Sequence, residues 1–516
     1  MKRIPCLLFI LLLFAQCSSV KKENEHLQRL IGANQLKKDI DFAYKKFQKL
    51  HPKLNYYISK DSLDYKFDSL KTSINGPLTP LEFYKKISPV VAVIKQGHSY
   101  VLAPEKIYTK KETKAFLKKG TGPFSQFDFG FYQDKLYIIK NKSTNKTIQS
   151  GTEVISVNGI KPAELIQEYN HYYSSDGFNS SLKKQLAGKR FVSYFTTEYG
   201  IKDSLQYVFK FNDSVKSITI KRLKADSTKK TKKIAQISVI EKKLQQTFQR
   251  KKRINGYDKT NKKFIRSLDF HQNDSSIAII KIRGFKKGNF RKFYKESFTE
   301  IQKRNTKTLI IDLRNNGGGR LNEIVNLYSY LADSTFVFLK KSEVVSRASL
   351  LKGAYSNNDN IAVKTLKTVS YPIIYSYLLF AVHKDKDGKN YIATDNKPHK
   401  INKKAFHGKL YVLINGGSFS ASSIISSNLK GSQRATFVGE ETGGDYNGTV
   451  AGFMPVIKLP YSKLKVRMGI MNIAPFYQTK IIGHGIFPDT TITPTLEDQI
   501  QEKDPELDWV IKNSKE

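Results

Sequence analysis

The sequence predicts a multidomain α/β protein, and three observations carry that reading. Two apolar strands, over 308–313 and 410–414, each run into a glycine-rich loop and then into a helical pattern. That order marks a sheet with its working loops at the strand ends. Ahead of them, residues 127–159 combine short apolar strand runs with an Asn-Gly turn. Earlier still, up to residue 105, apolar residues recur at helical spacing. A chain of 516 residues has room for about three domains.

In chain order, Lys2 and Arg3 precede an apolar run over residues 4–15. The run is too short to span a bilayer and right for an export signal, expected over 1–16. Cys17 follows, then Ser18 and Ser19, an arrangement resembling a bacterial lipobox, with Gln16 where a small residue is usual. The mature chain is therefore expected to be exported, to the periplasm or outer membrane, and lipid-anchored through Cys17. Cys6 and Cys17 are the two cysteines of the chain, which leaves the mature body without a disulfide or a cysteine-based metal site.

Residues 17–112 are expected to form a mainly helical domain. Leu36, Ile40, Ala43, Phe47 and Leu50 mark one helix face. A second helix is expected over 81–94, kinked or split by Pro89, leading into Gly97-His98-Ser99. Residues 113–195 change character. Strands are expected over 127–132 and 136–139, then a turn and short strand closing on Asn158-Gly159, then a helix over 162–169. Residues 196–269 read as a basic linker or insertion, because 221–263 carry 16 Lys/Arg against three acids. Residues 270–500 hold the strand–loop–helix units.

Lys+Arg total 88 and Asp+Glu 45, a formal charge of +43. Nucleic-acid binding is one explanation. A solvated basic surface near anionic lipid is the favoured one, because no nucleic-acid motif accompanies the charge. Aromatic residues at 12% exclude wholesale disorder. A multi-span membrane protein is excluded as well, since the single long apolar run is at the start.

The chemistry concentrates in the glycine loops. Ser420 follows a strand, two glycines and a short turn, and it opens a helix. A hydroxyl there can attack a carbonyl while the next N–H, from Ala421, holds the oxyanion. The plainer reading makes Ser418, Ser420 and Ser422 simple helix caps. The Asn315-Asn316-Gly317-Gly318-Gly319 loop exposes successive N–H groups that suit an anion, or else forms a tight turn. A phosphate loop lacks its Gly-Lys-Ser/Thr. His98, in a glycine-flanked loop, is the candidate base. No HExxH or paired-histidine spacing occurs, so neither metal nor cofactor is expected.

Taken in order, Gly97-His98-Ser99, the run from Asp312 to Gly319, Gly417-Ser418-Phe419-Ser420-Ala421-Ser422, Val438 to Gly444 and Gly485-Ile486-Phe487-Pro488-Asp489 resemble the tail-specific, carboxy-terminal processing and tricorn-core serine peptidases. The resemblance implies Ser420 as nucleophile, and Ala421 with Gly318 or Gly319 as oxyanion hole. It implies a crotonase/ClpP-like catalytic domain of ββα units over 270–500. Residues 113–195 are similar to the PDZ-like module of that family, with Thr152-Glu153 in place of the common Gly-Asp step. Such a module would help capture a polypeptide, often through its C-terminus. The processing branch places a lysine base where this chain has Asp445. The tricorn-like branch uses a histidine, which His98 matches, although Gly97 stands where that branch has serine. For the orienting acid the candidates are Glu440, Glu441 and Asp445.

The leading expectation is a serine endopeptidase acting on polypeptides in the cell envelope. The alternative is a weak or inactive peptide-binding scaffold of the same fold. A third reading, adhesion to the envelope through the basic stretch, explains the charge but not the glycine/serine loops.

Overall fold

The computed structural model describes residues 20–224, 239–272, 274–355 and 361–514. The expected signal over 1–16 and the lipidation site Cys17 lie outside the described residues, as does 225–238 of the basic stretch.

The helix Ala33–Leu50 buries Leu36, Ile40, Ala43, Phe47 and Leu50, the face its spacing predicts. The helix Lys60–Thr72, capped by Ser59, adds Leu63, Phe67 and Leu70. The helix Pro80–Ala92 opens with a capping box between Thr79 and Glu82. It runs unbroken through Pro89, contrary to the expected split. An internal proline costs roughly 3 kcal/mol, and burial of Phe83, Tyr84, Ile87 and Val91 on the same helix outweighs it.

A five-stranded antiparallel sheet follows, in the order Phe127–Tyr132, Lys135–Asn141, Glu153–Val157, Ser204–Phe211 and Ser214–Lys221. Asn158 and Gly159, with φ of 48° and 80°, form the predicted left-handed turn. The helices Pro162–Asn170 and Ser181–Tyr199 lie between its third and fourth strands in sequence. The last two strands fall where a linker was expected. Leu205, Tyr207 and Phe209 alternate inward, while Lys210 and Lys216 face solvent. Outward lysines made a half-buried hairpin look like a charge run. This sheet and the N-terminal helices share one core, which also takes in Ile457 and Val466 of the hairpin Val456–Lys458 and Lys465–Arg467.

The third unit is a six-stranded sheet, ordered Thr490–Thr491, Thr436–Gly439, Lys409–Ile414, Thr308–Asp312, Asp274–Ile282 and Arg266–His271. All pairs are parallel except the last. Both faces are covered, which explains the unbroken apolar strands. Ala278, Ile280, Leu309, Ile311 and Val412 pack in the core that holds the helices Phe290–Lys303, Leu321–Ser329 and Ala421–Gly431. Ile277, Ile310, Leu413 and Val438 pack with Val510 of the helix Pro505–Asn513. The unit therefore extends past residue 500, and its antiparallel edge strand begins at Arg266. A smaller five-stranded sheet joins Val382–Lys384, Asn390–Ile392, Ser342–Val344, Met471–Ile473 and Thr449–Ala451.

Candidate active site

The strands Thr308–Asp312 and Lys409–Ile414 are parallel neighbours, with Asp312 opposite Leu413. Their following loops therefore emerge side by side at one sheet end. Polar ties lock the two loops together. The Asn315 N–H donates to Asn415 Oδ1 (2.9 Å), and the Ser418 hydroxyl donates to the Leu313 carbonyl (2.8 Å). The Phe419 N–H donates to the Asn316 carbonyl (3.0 Å). A Cβ on Gly417 would lie 2.7 Å from the Asn315 Cα, so only glycine fits there.

Ser420 occupies the cap position of the helix Ala421–Gly431 with φ 58° and ψ −119°, and its side chain makes no capping bond. Positive φ is strained for a serine. Its hydroxyl is instead 3.1 Å from Nε2 of His98. The simple cap reading thus fails for Ser420, whereas Ser418 is structural. The Ala421 N–H stands at the first position of the helix, where no intrahelical acceptor exists.

The glycine loop closes against this turn. A Cβ on Gly318 would meet Ala421 N and Ser420 Cβ at 2.8 Å. The Gly318 N–H is engaged, donating to Asn316 Oδ1 (3.0 Å). Gly319, at φ 145°, approaches the Phe285 carbonyl so closely that a Cβ would be 2.1 Å from it. Beneath the loop lies a buried ion pair between Arg266 and Glu323, both with fully buried side chains. Glu323 also receives the Tyr294 hydroxyl (3.2 Å) and Arg320 (2.8 Å).

His98 is carried on the loop between the helix Pro80–Ala92 and the strand Tyr100–Leu102. The Gly97 N–H donates to Asp176 Oδ1 (2.8 Å), and the His98 ring packs against Phe419 with centroids 5.0 Å apart. Burial lowers the imidazole to about 4, helped by the positive charge of Arg467. The ring is therefore neutral at neutral pH, the form able to take a proton.

None of the three expected acids reaches His98. Asp445 is buried and accepts the Tyr57 hydroxyl (2.7 Å) and the N–H groups of Gly483 (2.8 Å) and Asn447 (2.6 Å). It ties the N-terminal region to the closing element, and burial raises its pKa. Glu441 bonds the Gly485 N–H (2.8 Å) and His484 Nδ1 (3.2 Å). Glu440 accepts the Thr493 hydroxyl (3.3 Å). Among the described residues no carboxylate hydrogen-bonds His98.

The carboxylate that does support the histidine loop is Asp176, which sequence reasoning missed. It is fully buried, and burial lifts it to about 7, the Gly97 N–H pulling it down and Asp445 pushing it up. Its only sequence signal is a Ser-Ser-Asp-Gly turn. A cavity of about 1300 Å³ opens beside the pair, lined by His98, Phe419, Gly317, Lys189, Arg190 and Arg467. That exceeds the usual small-molecule pocket of roughly 300–1,000 Å³ and has room for a length of chain. Among the described residues no group of three or more His, Cys, Asp or Glu side chains is arranged to hold a metal.

Comparison with known proteins adds a family match over part of the chain. Residues 276–492 match peptidase family S41. The S41-matching region holds the six-stranded sheet from its second antiparallel strand onward, both glycine loops and Ser420, whereas His98 lies outside it. It is the family that the sequence motifs resemble. No curated protein sequence matches the chain. Among solved structures, mature CPAF aligns at TM-score 0.58 with 13% identity, covering 93% of this chain and 96% of that one. A serine-to-alanine mutant of CPAF aligns at 0.59 with 14% identity, covering 93% and 96%. The photosystem II D1 C-terminal processing protease aligns at 0.41 with 14% identity, covering 90% and 96%. The chain therefore shares its overall fold with mature CPAF, and its residues 276–492 carry the S41 match.

Proposed function

We propose that the chain is an exported serine endopeptidase that hydrolyses peptide bonds in polypeptide substrates of the cell envelope. The observation that carries this is the 3.1 Å contact between His98 Nε2 and a Ser420 hydroxyl held at positive φ. Ser420 Oγ attacks the scissile carbonyl, and His98 Nε2 takes its proton. The negative charge forming on the carbonyl oxygen is held by the Ala421 N–H and by the Gly319 N–H of the glycine loop. Gly318 serves by having no side chain beside Ala421. Collapse passes the proton from His98 to the leaving amine and leaves an acyl-serine. Water then repeats the sequence with His98 as base and releases the new carboxylate. The segment over 113–195 is proposed to act as a PDZ-like capture surface for the substrate C-terminus, and Cys17 as the lipid-bearing residue after export.

The absence of a described carboxylate on His98 favours one second reading, a peptide-binding scaffold of low activity. One experiment separates the two. An unfolded polypeptide is incubated with the parent and with Ser420→Ala, and products are read by mass spectrometry. Cleavage by the parent alone supports the peptidase. Tight binding without cleavage by either supports the scaffold.

A further inference from the structure

The helix Ile361–Ala381 turns its most apolar stripe outward. Leu366, Val369, Ile373, Tyr377 and Phe380 are 69, 73, 77, 64 and 88% exposed. Their spacing of three, four, four and three places them along one face. On the inner side Leu378 is buried with Val344, Leu351, Val382 and Ile392, which fixes the helix to the smaller five-stranded sheet. An exposed apolar stripe of this length marks a surface that is covered in use.

We propose that this stripe seats the protein on an anionic lipid surface. The inference is independent of the catalytic reading. No described helix is long and apolar enough to cross a membrane, so this one would lie in the plane of the headgroups. Tyr371, Tyr375 and Tyr377 supply the aromatic rings that favour the interface. The helix contains no acid. Lys364 and Lys367 lie in its first half; in the next hairpin Lys384, Lys386 and Lys389 alternate with Asp385 and Asp387, and Lys389 pairs with Glu343 (3.5 Å). Charge selects the occupant. A chain of formal charge +43 is drawn to anionic lipid, whereas the same charge opposes the docking of a second copy.

The test uses residues 20–516, which contain every described element and lack Cys17, so no acyl anchor contributes. Co-sedimentation is measured with vesicles of equimolar phosphatidylcholine and phosphatidylglycerol, and with phosphatidylcholine alone. The parent is expected to bind the anionic vesicles more strongly, with binding weakened by salt. Val369→Glu with Ile373→Glu is expected to weaken that binding at least about tenfold. A second variant, Leu366→Ser with Phe380→Ser, should do the same, and circular dichroism checks that both remain folded. Equal binding by parent and variants overturns the proposal, as does no binding by the parent. So does concentration-dependent self-association that the variants abolish without vesicle binding, because the stripe would then belong to a second copy.

Discussion

The His98 imidazole and the Ser420 hydroxyl are separated by 322 positions in the chain and by 3.1 Å in space. One is carried by the N-terminal helical region and the other by the parallel sheet, so the pair exists only when both units are docked. If the pair is the reaction centre, Ser420→Ala and His98→Ala should each lower kcat by at least about 10³-fold. The double variant should be no worse than either single one, because the two groups act as one unit. Additive losses in single-turnover measurements would show that they act separately.

The acid side of the pH profile should follow the histidine. Burial and then Arg467 hold His98 at about 4, below the ordinary imidazole value of about 6.5. The kcat/KM profile of the free enzyme should therefore stay flat down to mildly acidic pH and fall only near pH 4. Arg467→Gln removes the positive charge and should move that limb upward. Stability carries the same sign. The unfolded chain protonates His98 below about pH 6.5 while the folded one resists, so His98's contribution is lost as pH falls from 6.5 towards 4. A limb near 6.5 in the parent would contradict a buried base.

Legibility in the sequence followed burial and chain locality. The strands Thr308–Asp312 and Lys409–Ile414 were readable because a parallel strand covered on both faces is apolar at every position. Ser420 was readable because the glycines that permit its turn are its neighbours. The hairpin of Ser204–Phe211 and Ser214–Lys221 was hidden, since its outward lysines merge with the basic stretch behind it. Asp176 was hidden for another reason. Its partner Gly97 lies 79 residues away, and nothing local distinguishes a buried aspartate from a turn aspartate.

The same loop explains why glycine precedes the histidine. A Cβ on Gly97 would lie 2.6 Å from Cζ of Phe419, whose ring also packs against His98. Gly97→Ser should displace one of the two rings and lower kcat by about tenfold to a hundredfold. Phe419→Ala made alongside it should restore part of that loss. A double-mutant cycle with no coupling would place the two side chains out of contact.

The ion pair of Arg266 and Glu323 should govern stability. Glu323→Leu leaves a buried guanidinium without its carboxylate, for which a loss of about 3–5 kcal/mol is expected in denaturant unfolding. Lys286 and Lys287 offer their carbonyls to the same guanidinium (3.2 and 3.0 Å). The glycine loop, one residue from Arg320, should loosen with it. A variant as stable as the parent would mean that these carbonyls suffice to hold the charge.

Asp176 gives the sharpest test of how the histidine loop is held. Its pKa is raised by burial to about 7, so the folded protein holds a proton that the unfolded chain releases near pH 4. Stability from this group is therefore fully present below pH 4 and declines as pH rises through 7. Asp176→Asn keeps an oxygen for the Gly97 N–H and removes the titration. Its melting temperature should fall less than the parent's between pH 4 and pH 7, with activity largely kept. Asp445→Asn removes the charge that pushes Asp176 up, so it should lower the Asp176 pKa and make the decline that starts near pH 4 level off at a lower pH. Asp176→Ala instead strands the Gly97 N–H. If the loop does no more than carry the proposed base, this should lower kcat with little change in KM. Matching pH slopes for parent and Asp176→Asn would show that Asp176 is ionised throughout, and that the loop is held by a charged hydrogen bond.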